Sequence, residues 1–273
     1  MKRKPIQWTA WCILTCISVA SVHAIEIETF TQPYRSVDVP AAEMGVLEEV
    51  LVEEGSRVSE GQLLAQIDDR VLRASLEIAE AAVRATSSQR AAEAELALCE
   101  EQLRSYRELL NEGNATQREV DRAETNYWQA TTRMQTVRED AEMRELEQKR
   151  IATQLANRRI ESPLDGVVVR IEKEAGEFVS PTDPVVMKVV QLDRLRAIFS
   201  VPLSRIHTLV KGQQVPVYVS GNQTPVDATI EIISPVADAE SSSVRVTLRI
   251  DNVKGDLLSG VICRWDLGGS FRD

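Results

Sequence analysis

From Asp69 to Arg159 the chain holds no proline and only one glycine, Gly113. A stretch this long without helix breakers reads as helix, and its apolar residues follow a heptad. In the first arm, steps alternating four and three run through Val71, Ser75, Ile78, Ala82, Ala85, Gln89, Ala92, Leu96, Cys99, Leu103, Tyr106 and Leu110. In the second they run through Val120, Ala123, Tyr127, Ala130, Met134, Val137, Ala141, Arg144, Gln148, Ile151 and Leu155. The intervening positions are mostly charged. A period of 3.5 sustained this far implies a left-handed coiled coil. The break falls at Asn111-Glu112-Gly113-Asn114-Ala115, where Gly113 suits a left-handed C-cap. Thr116 with Glu119 is a capping box that restarts a helix. Two arms of about 40 residues each then fold back as an antiparallel hairpin roughly 60 Å long, at about 1.5 Å per residue. Ser162-Pro163 is expected to close the second helix.

The segments flanking this region resemble each other. Gly45 to Val58 and Gly166 to Val179 both read Gly, then Gly ten positions on, then Val three further on. Each is followed by a second apolar strand, Leu63–Ile67 and Val185–Val189. The second glycine of each marks a turn that needs positive φ, and the Val-rich flanks mark short strands. Neither half buries a face alone, so together they should pack as one small β-sandwich.

Beyond residue 190 the pattern becomes that of short strands: Leu195–Val201, Val215–Val219, Ala228–Ile233, Val244–Ile250 and Val261–Leu267. Leu203–Leu209 adds one or two helical turns. Pro202, Gly212, Pro235 and Gly260 punctuate them. This spacing predicts a small antiparallel β-barrel. Aromatic residues make up only 4% of the chain, which fits extended helix better than one large globular core.

The N-terminus has the layout of a secretory signal peptide. Lys2, Arg3 and Lys4 precede an apolar run, Trp8 to Val22, and Val22-His23-Ala24 offers a cleavage site. An uncleaved anchor is the alternative, though the run is short of the ~20 residues of a spanning helix. Cleavage would remove three basic residues and no acids, taking the net charge from −10 to −13. So acidic a chain, with no basic run, is a poor partner for nucleic acid or an anionic membrane surface. The segment also carries two of the four cysteines and one of the two histidines. Cys99, Cys263 and His207 remain. Both cysteines suit packed positions, and His207 a surface one. Two cysteines exclude a disulfide-stapled scaffold, and a single histidine weakens any reading as a His-based triad or a His/Cys zinc site.

The order of half-domain, long hairpin, half-domain and barrel resembles the HlyD-like membrane fusion proteins, the periplasmic adaptor subunits of efflux systems. The phrases that carry the resemblance are Val50-Leu51-Val52-Glu53-Glu54-Gly55-Ser56-Arg57-Val58, Glu60-Gly61-Gln62-Leu63-Leu64-Ala65, Ser162-Pro163-Leu164-Asp165-Gly166-Val167-Val168, Gly176-Glu177-Phe178-Val179 and Leu257-Leu258-Ser259-Gly260-Val261. The fold class it implies is α+β. A lipoyl-like β-sandwich is split by a long antiparallel coiled-coil hairpin and followed by a small antiparallel barrel, and the membrane-proximal domain of many family members is expected to be absent. The implied domains are a signal peptide (1–24), an N-terminal segment with the first lipoyl-like half (25–68), the α-hairpin (69–160, tip 111–116), the second half (161–190) and the barrel (191–269).

The resemblance implies a non-enzymatic adaptor in the periplasm, either free there or associated with the inner membrane. It would link an inner-membrane transporter of the RND or ABC type to a TolC-type outer-membrane channel, as a homo-oligomeric ring that could be a hexamer. No cofactor or metal and no nucleic-acid partner is expected. A coiled-coil periplasmic scaffold or chaperone without a transporter is the alternative. A swinging-arm carrier is disfavoured, because no lysine lies between Val39 and Arg70 where such carriers place theirs. The family's tip pattern maps onto Leu109, Thr116 and Asp121. Its arginine position holds Ser105, with Arg104 and Arg107 nearby but out of register, a departure that bears on TolC-type docking. Arg104, Leu109, Thr116 and Asp121 are therefore the candidate partner-binding residues.

Overall fold

The computed structural model describes residues 26–222 and 224–267. The secretory segment read at residues 1–24 lies outside the described residues. In chain order the elements are β1 (Glu26–Pro40), β2 (Gly45–Val50), β3 (Arg57–Val58), β4 (Leu63–Ile67), α1 (Arg70–Arg84), α2 (Ser87–Asn111), α3 (Gln117–Asn157), β5 (Arg159–Glu161), β6 (Gly166–Ile171), β7 (Phe178–Val179), β8 (Val185–Pro202), α4 (Leu203–Ile206), β9 (Gln214–Val219), β10 (Val226–Asp238), β11 (Ser243–Asp251) and β12 (Ile262–Asp266). The described residues divide into two compact units, one within residues 35–192 and the other formed by residues 26–34 with those from 193 to 267.

In the first unit the two similar segments form one β-sandwich by exchanging strands. β2 pairs with β7, with Gly45 opposite Val179, and β3 pairs with β6, with Val58 opposite Gly166. Each half therefore completes its partner. The Gly55 N–H donates to the Val168 carbonyl at 2.7 Å, and the Gly176 N–H donates to the Leu47 carbonyl at 2.8 Å. Even the irregularity repeats. β2–β4 skips between Leu47/Ile67 and Glu49/Gln66, and β6–β8 skips between Val168/Val189 and Arg170/Lys188.

The two glycines of each half are needed for different reasons. A Cβ on Gly45 would stand 2.6 Å from Ile67 Cγ2, and one on Gly166 would stand 2.4 Å from the Val190 carbonyl oxygen. Gly55 and Gly176 meet no such crowding but hold φ of 88° and 91°, which only glycine adopts freely. Leu47, Leu64, Ile67, Val168, Val186, Met187 and Val189 fill the space between the sheets and are fully buried.

α1, α2 and α3 interrupt the sandwich between β4 and β5 as a helical hairpin. Every second-arm residue assigned to the seam from the heptad, Val120 through Leu155, is buried or half-buried. The first arm departs from the expected single helix, ending at Arg84 and restarting at Ser87. Ala85 takes an extended ψ of 91°, and Thr86-Ser87-Ser88 follows, a run whose hydroxyls compete with helical hydrogen bonds. The break resets the register. α2 buries Ala92 and Leu103 on the expected phase, whereas α1 turns Leu72, Leu76 and Ala79 inward and leaves Val71 and Ile78 exposed.

The second arm also ends earlier than Ser162-Pro163 suggests. α3 stops at Asn157, and β5 pairs with β4, because Ile160 belongs to the sandwich core.

Polar contacts fix the hairpin root. Asp69 is buried, with Oδ1 2.6 Å from Arg73 Nε and Oδ2 accepting from Gln66 Nε2 at 3.0 Å. Arg158 Nη1 donates to the Asp68 carbonyl at 2.8 Å, tying the end of the second arm to the start of the first. The Arg70 guanidinium holds the Asp68 carboxyl down at about 2.

In the second unit, β1, β12, β9, β10, β11 and β8 pair in that order. The long strand β1 was not read from the sequence. Inward-facing Val215, Ile230, Leu248, Phe199 and Trp265 form the core, with the Phe199 and Trp265 rings edge to face, 5.5 Å apart. Cys263 is fully buried there, and desolvation pushes its thiol up to about 12, which leaves it unreactive.

Two substitutions test the sandwich. Leu47→Ala should cost about 2–5 kcal/mol through the cavity it leaves. Gly166→Ala should cost about 1–3 kcal/mol by overpacking against the Val190 carbonyl. Urea denaturation followed by circular dichroism measures both, and unchanged midpoints would contradict this packing.

Candidate partner-binding site at the hairpin tip

The tip is a short turn with its backbone groups accounted for. Gly113 holds a positive φ of 75°. The Gly113 N–H donates to the Leu110 carbonyl at 3.0 Å and the Asn114 N–H to the Leu109 carbonyl at 2.8 Å, the paired pattern of a Schellman C-cap. The capping box then starts α3. Glu119 Oε2 accepts from the Thr116 N–H at 2.7 Å and from its hydroxyl at 2.8 Å. These two bonds hold the Glu119 carboxyl below the usual carboxylate range.

Just below the turn, Leu103 packs on Val120 and Ala123, with Leu110 and Tyr127 alongside. Two ion pairs cross between the arms, Arg107 to Glu124 at 3.2 Å and Arg133 to Glu95 at 3.4 Å.

Leu109 and Thr116 flank the turn, so the fold brings these two candidates together. Leu109 is half-buried and Thr116 exposed. Asp121 is exposed on α3, and its Oδ1 accepts from Gln117 Nε2 at 2.9 Å. Arg104 stands apart on α2, exposed and paired with Glu101 on its own helix. The side chains of Thr116 and Asp121 thus already have local partners.

Sequence reasoning missed Trp128. It follows the seam residue Tyr127 and meets its ring edge to face at 5.6 Å, with 60% of its surface exposed. It lines an open groove of about 710 Å³ together with Ala97, Arg104, Arg107, Glu124 and Tyr127. A large aromatic in a heptad slot that should be polar was the available signal.

A second exposed apolar row runs along the first arm: Val71, Ala74, Ile78, Ala81 and Ala85 on and just after α1, and Ala91, Ala94 and Leu98 on α2. It sits beside the intramolecular seam and changes phase at the same break.

A β-sandwich of two exchanged halves, interrupted by an antiparallel hairpin with an ordered polar tip, defines a membrane fusion protein. A family model described as "RND MFP, barrel-sandwich hybrid domain" matches residues 35–191. The chain belongs to this family, whose members are the periplasmic adaptors of efflux systems.

The crystal structure of MacA from Actinobacillus actinomycetemcomitans superposes with a TM-score of 0.73 over 89% of this chain and 78% of that one, at 23% identity, a likeness of fold. An uncharacterised protein of Haemophilus influenzae is 24% identical over 85% of this chain. The pyoverdine export membrane fusion protein PvdR of Pseudomonas putida is 26% identical over 64% of it. The chain spans about half the length of these two relatives, 54% and 47%. Among the described residues no helix is long and apolar enough to cross a membrane.

The capping box carries a pH dependence. Glu119 is depressed in the folded state, so its contribution is present above the ordinary carboxylate pKa and is lost as pH falls through the folded value. Amide exchange at Glu119 and Val120 should therefore accelerate in acid relative to mid-α3, and Glu119→Gln should flatten that profile.

Proposed function

We propose that the chain is the periplasmic adaptor that joins an inner-membrane transporter to a TolC-type outer-membrane channel for efflux or secretion. The observation that carries this reading is the ordered polar tip at the far end of a hairpin rooted by polar contacts in the sandwich. A rigid rod with a defined end suits a bridge. We assign the domains accordingly: a secretory segment over 1–24, sandwich halves within 25–68 and 161–190, the hairpin over 69–160 and the adaptor β-barrel over 191–269. The strand order β1-β12-β9-β10-β11-β8 supports the last of these.

In this reading several copies stand side by side as a ring in the periplasm. The exposed row Val71, Ala74, Ile78, Ala81, Ala91 and Leu98 gives neighbouring hairpins an apolar face to share. Leu109, Thr116 and Asp121 meet the channel, with Arg104 and Trp128 on the approach. Contact at each tip is small and polar, and the ring makes it effective by multivalency. RND and ABC transporters both fit as the inner-membrane partner. The chain acts by positioning its partners and not by catalysis.

Leu109→Glu combined with Thr116→Asp tests the docking role. Asp at residue 116 keeps a competent N-cap, so the hairpin should stay helical while the tip gains two negative charges. Export in cells lacking the native gene should drop at least tenfold, with circular dichroism unchanged. Export at the native level would remove the tip from the mechanism.

A further inference from the structure

The second unit carries a cluster of arginines that no run in the sequence announces. On β8, Leu195, Ala197, Phe199 and Val201 point into the core, and on β11, Val244, Val246, Leu248 and Ile250 do the same. The alternate residues therefore share the outer face. Register sets Arg194 opposite Asp251, Arg196 opposite Arg249, and Ile198 opposite Thr247. β10 adds Thr229 beside Arg249 and Ile232 beside Thr247.

Arg196 and Arg249 thus face each other across neighbouring strands, an arrangement that like charges resist. The nearby carboxylates do not resolve it. Asp193 Oδ2 accepts from Arg194 Nε at 3.3 Å. Asp251 Oδ1 lies 3.2 Å from Arg249 Nε, out of line for a hydrogen bond. Glu231 Oε1 takes the Tyr34 hydroxyl at 2.7 Å, and the Arg194 guanidinium stands 5.2 Å from the centre of the Tyr34 ring. Among the described residues no carboxylate pairs with Arg196. The Nε atoms of Arg196 and Arg249 are both sealed from water with no acceptor. A buried donor without a partner is costly, and a guanidinium without a counter-charge is more so.

We propose that this outer face binds the phosphodiester headgroup of a phospholipid. Arg194 lies beside Asp193, Arg249 beside Asp251, and Glu231 is taken by Tyr34, so among the described residues it is Arg196 that is left without a carboxylate partner, and a phosphodiester carries one negative charge. Its non-bridging oxygens can accept from the guanidinium forks of both Arg196 and Arg249. The next rung, about 7 Å along the strands, holds half-buried Ile198 and exposed Ile232. That apolar rung decides for a lipid over free phosphate, because it gives the glycerol and acyl portion a surface to cover. Arg194 stacked on Tyr34 completes a pairing of cation and aromatic ring common where protein meets the membrane interface. This site is distinct from the hairpin tip and does not depend on the bridging role.

The test is a titration of the full chain with dihexanoylphosphatidylglycerol below its micelle concentration, following the arginine Nε–Hε resonances by NMR. The Arg196 and Arg249 resonances should shift and saturate. Glycerophosphoglycerol, the same headgroup without acyl chains, should bind at least tenfold more weakly, and inorganic phosphate more weakly still. Arg196→Gln, at a partly exposed position, should abolish the response. Ile232→Glu should bring the lipid down to the affinity of the bare headgroup. Equal binding of lipid and bare headgroup would overturn the lipid assignment. No shift with any of the three, or a shift retained in Arg196→Gln, would overturn the site.

Discussion

The fold depends on the exchange of short strands between the two halves of the sandwich. β3 of the first half pairs with β6 of the second, and β7 of the second pairs with β2 of the first. Neither half has a complete sheet without the other, so the core of Leu47, Ile67, Val168 and Val189 closes only when both are present. This exchange also determines where the hairpin stands. It brings Ile67 and Arg158 together, with the Ile67 N–H donating to the Arg158 carbonyl at 3.0 Å. The two ends of the helical insertion are thereby held side by side. An insertion of this length can leave and re-enter the domain only as a structure that returns to its own origin.

The hairpin follows from that geometry and from the heptad. Its fully buried positions are half alanine, the others being Leu103, Val120, Met134 and Ile151, so the seam buries modest area per residue. Stability along the arms therefore leans on the root contacts of Asp69, Arg73 and Arg158 and on the tip, where a Schellman turn and a capping box satisfy the helix ends. In the proposed docking role the tip residues serve twice. Thr116 and Glu119 start α3, and the same turn presents Leu109 and Thr116 outward. A partner that docks there meets a surface already ordered, so little conformational entropy is lost on contact.

Legibility differed between elements for physical reasons. The second arm was readable residue by residue, because a continuous helix against one partner keeps a single phase from Val120 to Leu155. The first arm was not. The step at Ala85–Thr86 shifts the seam by one residue, and nothing in the apolar spacing shows which of Val71 or Leu72 faces inward until α3 is in place. β5 was hidden because three residues, Arg159–Glu161, are too few for periodicity, and their strand character comes from pairing with β4. Thr116 and Glu119 could be found from spacing alone, since a capping box is a local device. Trp128 was overlooked because a seam reading attends to the residues that are buried.

The sequence by itself determined the order of modules, the doubled Gly-Gly-Val signature, the heptad and the capped turn. All of these are local patterns whose meaning is set by backbone sterics and helical or strand period. The tertiary structure alone decided which strands exchange, which face of α1 is buried and which distant charges become neighbours. Arg196 and Arg249 are far apart in the chain and meet only through the β8–β11 register. A chain with no basic run thereby acquires a cluster of arginines in which Arg196 has no carboxylate partner among the described residues. Strand pairing places residues by hydrogen-bond register, and register between distant strands is settled by the packing of the whole core, not by the residues that it brings together on the surface.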